Sequence, residues 1–520
     1  MTDNTYLLGI DFGTESVRAA IFDMTGRPVS FAATAYRTTH PHPGWAEQDP
    51  EEWWEALQAS CHKVIAASGV SPAAIKGISY DATTMTVVAM DKRGEALRPA
   101  IMWMDVRATE QAARAEKSDS VARLYNGRGT APATAEWYPF KAAWLRQNER
   151  ETYDAAFRLV DAPDWVTYKL TGEWTTNINS AALRMYYNRD HGGWPVDFYE
   201  TIGCGDVFDK IPEKVVDLGT PVGELSVIAA QLLGLHPGTP VAQGPADAWA
   251  GQIGLGVVDP GVMALITGSS HVLTGQTDKP IHGKGFFGAY TDGVVKGQYT
   301  VEGGQVSTGS VLKWFKDNFA RDLIQAAEVT GLNVYDILNK QSKDLPPGSE
   351  GLIINEYFQG NRTPYTDSKA RGVIWGLSLH HGPAHIYRAI QESVCYGTAH
   401  NLRAMSAAGF EVKKIVAAGG ATKSRDWMQM HADVTGVPIA LTEVGDAVVL
   451  GSCMLAAVGA GLHPDLGTAA KEMVHEIDLV EPDQRRHEEY RYFVDAYANT
   501  YPQLQPMIHD MVDRENAKRG

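Results

Sequence analysis

The sequence predicts an α/β protein built from two similar domains with a cleft between them. The chain has 520 residues, more than a single domain usually contains, since domains run to roughly 100–200 residues. Apparent strands alternate with apparent helices, which is the α/β pattern. The turn-containing arrangement that opens the chain also recurs about 255 residues later. A glycine-rich stretch at 254–261 is the best boundary, so we divide the chain into residues 1–255 and 256–520.

The first half opens with three short runs separated by two turn sequences, at 11–16 and 23–26. Such spacing predicts an antiparallel three-strand meander. A helix follows, because Asp49 is a good N-cap and Pro50 suits the first helical position. Further strands are predicted at 75–81 and 86–90.

The second half repeats the opening, with a strand at 261–266, a polar turn at 267–270 and a returning strand at 271–275. Its later elements are predicted to be a strand at 414–418, a helix at 425–435, a small-residue helix at 448–457 and a long terminal helix from Arg486.

Charge and composition exclude several classes of protein. Lysine plus arginine is 46 and aspartate plus glutamate is 62, a net charge of −16 without any basic run. That balance argues against nucleic-acid and anionic-membrane partners. No apolar stretch approaches about 18 residues, and the first residues lack a signal-peptide pattern. The four cysteines are scattered, which suits a reducing compartment, so we expect a cytoplasmic enzyme.

Two hydroxyl-rich turns, at 11–16 and 267–270, are the leading candidates for chemistry. Backbone N–H groups and hydroxyls in tight turns suit phosphate oxygens, and an aspartate such as Asp11 suits Mg²⁺. Each turn alone could be a plain hairpin. Their equivalent positions in two repeats favour a shared grip on one polyphosphate.

Two further candidates stay ambiguous by spacing alone. Gly419 and Gly420 lie between a strand and a helix, where α/β folds hold nucleotides, although such junctions commonly need glycine anyway. Asp247 follows an apolar strand at a helix start, so it could cap the helix or accept a proton from an attacking hydroxyl. The polar stretches at 302–305 and 359–365 suit a polyol or a surface loop. The histidines show no HExxH or clustered metal pattern.

Together these segments resemble the FGGY family of carbohydrate kinases. Residues 11–18 are similar to the family's DxGTxSxR phosphate loop, and residues 43–50 to its PGWxEQDP segment. Residues 103–107 resemble its WxDxR segment, 267–269 its second phosphate loop, and 418–420 its adenosine motif. The resemblance spans nearly the whole chain. It implies two duplicated actin/hexokinase-like (ribonuclease H-like) domains with an interdomain cleft.

The resemblance also implies an ATP-dependent kinase that uses Mg²⁺ and acts on a small sugar or polyol, with a homodimer expected. Asp247 becomes the general base, which decides against the cap, and Asp11 and Asp247 become the metal-binding carboxylates. The implied ATP-binding residues are Gly13, Thr14, Ser16, Arg18, Thr267, Gly268, Ser269, Gly419, Gly420, Ala421 and Lys423. The implied sugar-binding residues are Asp81, Thr83, Trp103, Asp105, Arg184, Asp247, Glu302 and Gln305.

The identity of the sugar rests on finer likenesses. Residues 81–86 and 302–305 resemble ribulokinase-type members, and the Gln-Met-His-Gly string of xylulokinases is absent at 83–86. Arg184 falls where L-ribulokinases carry a substrate-facing lysine. We therefore expect a ketopentose, D-ribulose ahead of L-ribulose or D-xylulose, with erythritol, ribitol or glycerol behind. The alternative of another class is a nucleotide-dependent, non-enzymatic binding or scaffold protein of actin-like fold.

Overall fold

The computed structural model describes residues 5–518. Its strands are β1 (Tyr6–Phe12), β2 (Ser16–Asp23), β3 (Pro28–Ala35), β4 (Glu47–Gln48), β5 (Ile75–Ala82), β6 (Val87–Met90), β7 (Ala100–Ile101), β8 (Arg158–Asp161), β9 (Thr176–Asn177), β10 (Val215–Val216), β11 (Pro221–Glu224), β12 (Pro240–Ala242), β13 (Val262–Thr267), β14 (His271–Thr277), β15 (Phe287–Thr291), β16 (Tyr299–Gln305), β17 (Ile353–Asn355), β18 (Val373–Trp375), β19 (Lys414–Gly419), β20 (Ile439–Thr442) and β21 (Glu476–Val480).

The α-helices are α1 (Pro50–Ser68), α2 (Thr109–Arg114), α3 (Tyr138–Asn148), α4 (Arg150–Ala155), α5 (Ala162–Thr171), α6 (Ile178–Arg184), α7 (Val196–Thr201), α8 (Val227–Leu233), α9 (Asp247–Gly254), α10 (Gly309–Phe319), α11 (Arg321–Thr330), α12 (Val334–Ser342), α13 (Pro383–Ala407), α14 (Arg425–Thr435), α15 (Ala447–Gly459), α16 (Leu466–Met473) and α17 (Gln484–Ala517).

The two large sheets repeat one topology. The first has the order β11-β12-β5-β1-β2-β3, and the second has the order β15-β16-β14-β13-β19-β20-β21. In the first sheet, a three-strand antiparallel meander is followed by two parallel strands and an antiparallel edge strand. The second sheet repeats this order with β13, β14 and β16 as its meander, and β15 extends that meander by one further antiparallel strand. The predicted meanders and the predicted duplication are therefore confirmed.

Local signals placed the first helix correctly. The Asp49 side chain accepts a hydrogen bond from the Glu51 N–H at 3.0 Å, and Gly69 ends α1 in the left-handed conformation. The predicted apolar face is buried at Trp54 and Leu57. The strand predicted at 86–90 exists as β6, but it belongs to a separate four-stranded sheet with β4, β7 and β8.

Small residues let the two halves approach closely. A Cβ added to Gly254 of α9 would lie 1.7 Å from the Ala447 carbonyl oxygen of α15, and one at Gly451 would lie 2.0 Å from that of Ala250. Helix α15 belongs to the second half of the chain, yet it packs against β1 and β5 of the first sheet. The predicted small-residue helix, α15, thus packs the second half of the chain against the first half, beside the ends of the first-sheet strands.

Within residues 5–518, no helix combines the length and the apolar character that a membrane crossing requires.

Candidate active site

Three aspartates gather where the parallel strands of the first sheet end. Asp11 and Asp81 are register neighbours on β1 and β5, and Asp247 begins α9 shortly after β12. The carboxyl ends of parallel strands are where α/β folds bind ligands. Asp247 is the first helical residue, Ala246 holds the N-cap position, and Oδ1 of Asp247 accepts the Ala248 N–H at 2.7 Å.

The local environment holds these carboxyl groups at unusual pKa values. Burial raises the pKa of Asp247 to about 6, and the neighbouring Asp11 carboxylate adds to the shift. Burial also raises the pKa of Asp11, although Arg18 opposes that rise, and it raises the pKa of Asp81 well above the ordinary value. A carboxylate tuned towards neutrality beside other carboxylates is typical of a catalytic base.

Arg18 connects this cluster to the second half of the chain. Its guanidinium forms an ion pair with Asp11 and another, at 2.7 Å, with Asp446, which precedes α15. Ser452 of α15 donates to Asp81 at 2.6 Å. Asp446 and Ser452 therefore complete the cluster from the opposite half. Neither residue was predicted to belong to the site, because nothing in its local sequence pattern indicates such a partner.

The same cluster provides oxygen ligands for a divalent cation. Both Asp11 oxygens and Oδ1 of Asp81 are buried, and no hydrogen-bond donor within residues 5–518 satisfies them, apart from the Arg18 ion pair at Asp11. Mg²⁺ prefers carboxylate oxygens and usually keeps several waters. The residues therefore fit a hydrated Mg²⁺ near Asp11.

A second group of site residues joins the halves through a buried ion pair. Nη2 of Arg184, at the end of α6, lies 2.9 and 2.7 Å from the two carboxylate oxygens of Glu302 on β16. The indole rings of Trp137 and Trp249 flank the guanidinium at 5.4 and 4.9 Å. Nε of Arg184, Nε1 of Trp249 and the Tyr290 hydroxyl are buried and have no hydrogen-bond partner among the described residues.

Each of the two phosphate-loop candidates is closed by a similar backbone hydrogen bond. The Gly13 N–H donates to the Ser16 carbonyl at 3.1 Å, and the Gly268 N–H donates to that of Ser270 at 2.9 Å. In both turns, a glycine N–H thus closes the turn on the carbonyl of a nearby serine. Thr14 accepts from the Trp103 indole N–H at 3.0 Å, which brings a predicted sugar residue against the first loop.

The second loop packs against the predicted adenosine motif. Thr267 Oγ1 donates to the Ala418 carbonyl at 2.7 Å and accepts from the Ala421 N–H at 3.1 Å. Gly419 has a φ of 97°, and a Cβ there would lie 1.9 Å from the Thr267 carbonyl oxygen, so only glycine fits. Gly268, Ser269, Gly420 and Lys423 are exposed beside this junction.

Two predicted sugar residues have side chains already engaged inside the protein. The Asp105 carboxylate accepts from Arg107 and from the Ala46 N–H at 2.7 Å. Nε2 of Gln305 donates to Glu356 at 2.9 Å, and its carbonyl oxygen accepts from Thr398. These bonds favour a supporting role for Asp105 and Gln305. Thr83, by contrast, lies in a buried turn, its hydroxyl 2.9 Å from that of Thr86.

Folding also gathers histidines away from the aspartates. Nε2 of His380 and Nε2 of His385 lie 2.7 and 3.3 Å from Oε2 of Glu350, a grouping that no metal-binding sequence pattern had indicated. The Gly382 N–H donates to Nδ1 of His385 at 3.1 Å. The neutral ring therefore carries its proton on Nε2 and donates it to Glu350. That arrangement is typical of a helix-capping cluster, since a metal ligand would need the Nε2 lone pair.

Comparison with known proteins agrees with this architecture. Residues 6–254 match the N-terminal domain, and residues 263–460 the C-terminal domain, of the FGGY family of carbohydrate kinases. An FGGY carbohydrate kinase domain-containing protein of Xenopus laevis is 31% identical over 535 residues, covering 95% of each chain. A ribulokinase of Anoxybacillus flavithermus is 30% identical over 494 residues, covering 88% of this chain and 86% of the relative.

Among solved structures, the xylulose kinase from Rhodospirillum rubrum superposes with a TM-score of 0.87 at 27% identity, covering 97% of this chain and 100% of that one. The two matched domains together span most of the sequence and contain every predicted site residue. The chain belongs to the FGGY family of carbohydrate kinases, and it is a sugar kinase of that type.

Proposed function

We propose that this kinase transfers the γ-phosphoryl group of ATP to a terminal hydroxyl of a ketopentose, with D-ribulose as its first substrate. One observation supports the proposal above the others. Asp247, a carboxylate with a pKa raised to about 6, begins the same helix turn that carries Trp249 to the buried Arg184–Glu302 pair. The proposed proton acceptor, Asp247, is thus two positions from Trp249, which contacts the buried Arg184.

Asp247 acts as the general base in this proposal. Near neutral pH it is mostly ionised, and it takes the proton of the attacking hydroxyl as the new O–P bond forms and the bridging P–O bond to ADP breaks. A pKa near the working pH suits this task, because the group must be ionised before the reaction and basic enough to accept the proton. The products are the sugar phosphate, ADP and the proton on Asp247.

Local groups must supply the positive potential for a polyphosphate, since the whole chain carries −16. The N–H groups and hydroxyls at 13–16 and 267–269 are the proposed phosphate contacts, with Arg18 beside them. Gly419, Gly420, Ala421 and Lys423 are the proposed nucleotide contacts. Asp11, with Asp247, would hold Mg²⁺, which would neutralise phosphate charge when bound.

The Arg184–Glu302 pair is the proposed centre of sugar recognition. Nε of Arg184 and Nε1 of Trp249 are buried donors without partners among the described residues, and Glu302 offers acceptors beside them. Buried polar groups require hydrogen-bond partners. The hydroxyl groups of a small polyhydroxylated molecule can both donate and accept, so they fit this mixed set, whereas an apolar ligand would leave it unsatisfied.

D-ribulose heads the proposed substrates because the likenesses at 81–86 and 302–305 point to ribulokinase-type members, and a relative named ribulokinase is 30% identical. A relative named xylulose kinase, from Staphylococcus epidermidis, is 27% identical over 98% of this chain. L-ribulose, D-xylulose and the polyols erythritol, ribitol and glycerol are the ranked alternatives.

The test is ADP release measured for each sugar and polyol by a coupled assay. We expect the highest kcat/KM for D-ribulose, with phosphorus NMR showing a primary phosphate ester. A higher kcat/KM for D-xylulose or for a polyol would replace D-ribulose as substrate. If no sugar or polyol in the panel stimulated ADP release, the proposed substrate class would be wrong.

A further inference from the structure

Lys141 is a fully buried lysine whose ammonium contacts backbone carbonyls. It lies on α3, and its Nζ donates to the carbonyl oxygens of Met85 at 2.8 Å, Met102 at 2.6 Å and Trp103 at 3.1 Å. An ammonium group has three N–H donors, so all three are used. Burial lowers the pKa of Lys141 to about 7, and Asp105, Glu136 and Asp161 oppose that shift.

The three carbonyls belong to two separate segments that carry proposed sugar contacts. Met85 lies in the turn at 83–86 between β5 and β6, and its φ of 61° is a left-handed conformation that side chains rarely adopt. Met102 and Trp103 follow β7 and lead into Asp105. Lys141 therefore joins the turn that contains Thr83 to the segment that contains Trp103.

Both segments have a second attachment that fixes their direction. On the far side of the turn, Asp161 accepts from Thr84 Oγ1 at 2.8 Å and from the Thr86 N–H at 2.9 Å. On the other segment, the Trp103 indole N–H donates to Thr14 of the first phosphate loop. Lys141 thus binds both the turn at 83–86 and Trp103, whose indole contacts the first phosphate loop.

Burying an ammonium at this place is costly, because a charged amine loses its water. The bonds to the three carbonyls offset part of that cost, since buried carbonyls also require partners. What the ammonium adds is a defined spacing between three carbonyl oxygens in two segments. We therefore infer that the ammonium holds the two segments at a fixed separation.

We propose that Lys141 positions two sugar-binding segments. By binding three backbone carbonyls, it sets the distance between the turn that contains Thr83 and the segment that contains Trp103. The inference rests on the proposed function, because it takes Thr83 and Trp103 as sugar contacts. Lys141 itself touches no reacting atom in this scheme.

The test compares Lys141→Met with a matched control, Lys210→Met. Lys210 is a partly buried lysine of the same half, and its Nζ donates to a single backbone carbonyl, that of Ala156, at 2.8 Å. In Lys141→Met we expect the KM for the sugar to rise at least about tenfold. The KM for ATP should stay close to that of the wild type, and the melting temperature should fall only modestly, because the carbonyls of Met85, Met102 and Trp103 lose a donor. Lys210→Met should leave both KM values unchanged.

Lys141→Arg is the second variant, and it keeps the charge. A guanidinium presents a planar fork and cannot direct three donors from one nitrogen, so we expect its sugar KM to rise about threefold or more. If Lys141→Met does not fold, this variant decides the question.

A folded variant with a wild-type sugar KM would overturn the inference. So would an equal loss of kcat/KM for sugar and for ATP, which is the result of a merely structural role. Failure of the proposed function is distinguishable, because the wild-type enzyme would then show no ketopentose-stimulated ADP release.

Discussion

Arg184 and Glu302 form a buried ion pair that joins the two halves of the chain, with Nη2 of Arg184 2.9 and 2.7 Å from the carboxylate oxygens. The pair lies between α6 and β16, and 118 positions separate its members. Removing one member of such a pair leaves the other charge buried and uncompensated. The contact therefore links the proposed sugar site to the cohesion of the two halves.

Glu302→Gln tests this link. We expect the sugar KM to rise and the free energy of unfolding to fall by about 3 kcal/mol, because Arg184 loses its counter-charge. Chemical denaturation and steady-state kinetics measure the two effects. The matched control is Asp154→Asn, which breaks the exposed Arg150–Asp154 pair and should leave the free energy of unfolding close to that of the wild type. Equal, small effects in both variants would contradict the role of the buried pair.

Gly419→Ala tests the packing of the second phosphate loop on the nucleotide motif. The added Cβ would meet the Thr267 carbonyl oxygen at 1.9 Å, in a backbone conformation that favours glycine. We expect a higher KM for ATP and a loss of roughly 1–3 kcal/mol in the free energy of unfolding.

Gly420→Ala is the steric control for that change. A Cβ at Gly420 has no heavy atom within 4 Å, so the free energy of unfolding should change by less than about 1 kcal/mol. If Gly419→Ala were as stable as Gly420→Ala, the proposed tight junction at Thr267 would be wrong.

The pH dependence of sugar phosphorylation follows from Asp247, whose pKa burial raises to about 6. Only the ionised carboxylate accepts a proton, so kcat/KM should be full above about pH 7 and fall as the pH drops through 6. Well below 6 the decline should approach about tenfold per pH unit. Circular dichroism at each pH checks that the fold persists. A flat profile down to pH 5 would remove Asp247 from the role of base.

Much of the fold was predictable because its signals are local. The turn sequences at 11–16 and 267–270 marked equivalent hairpins, and Asp49 marked the start of α1. The four-stranded sheet that includes β6 was not predictable, since its two-residue strands β4 and β7 carry no periodicity. The division at residues 255 and 256 stays a prediction, and α15 shows its limit, because that helix packs on the first sheet.

The candidate site was predictable only where family motifs covered it. Spacing alone left Asp247 between a cap and a base, and the resemblance decided for the base. Ser452 donates to Asp81 across 371 positions, and Lys141 reaches carbonyls of segments that show no complementary pattern. Such partners are set by tertiary packing, so no sequence window contains them. For the same reason, the sequence could not predict that the side chains of Asp105 and Gln305 are hydrogen-bonded inside the protein.

The central claim, that Asp247 is the base of an ATP-dependent pentulose kinase, is tested most directly by Asp247→Asn. We expect ketopentose-stimulated ADP release to fall by about a thousandfold, while calorimetry shows ATP binding close to that of the wild type. Asp259→Asn, an exposed aspartate beyond the same helix, should behave as the wild type does. Near-normal turnover of D-ribulose by Asp247→Asn would contradict the account.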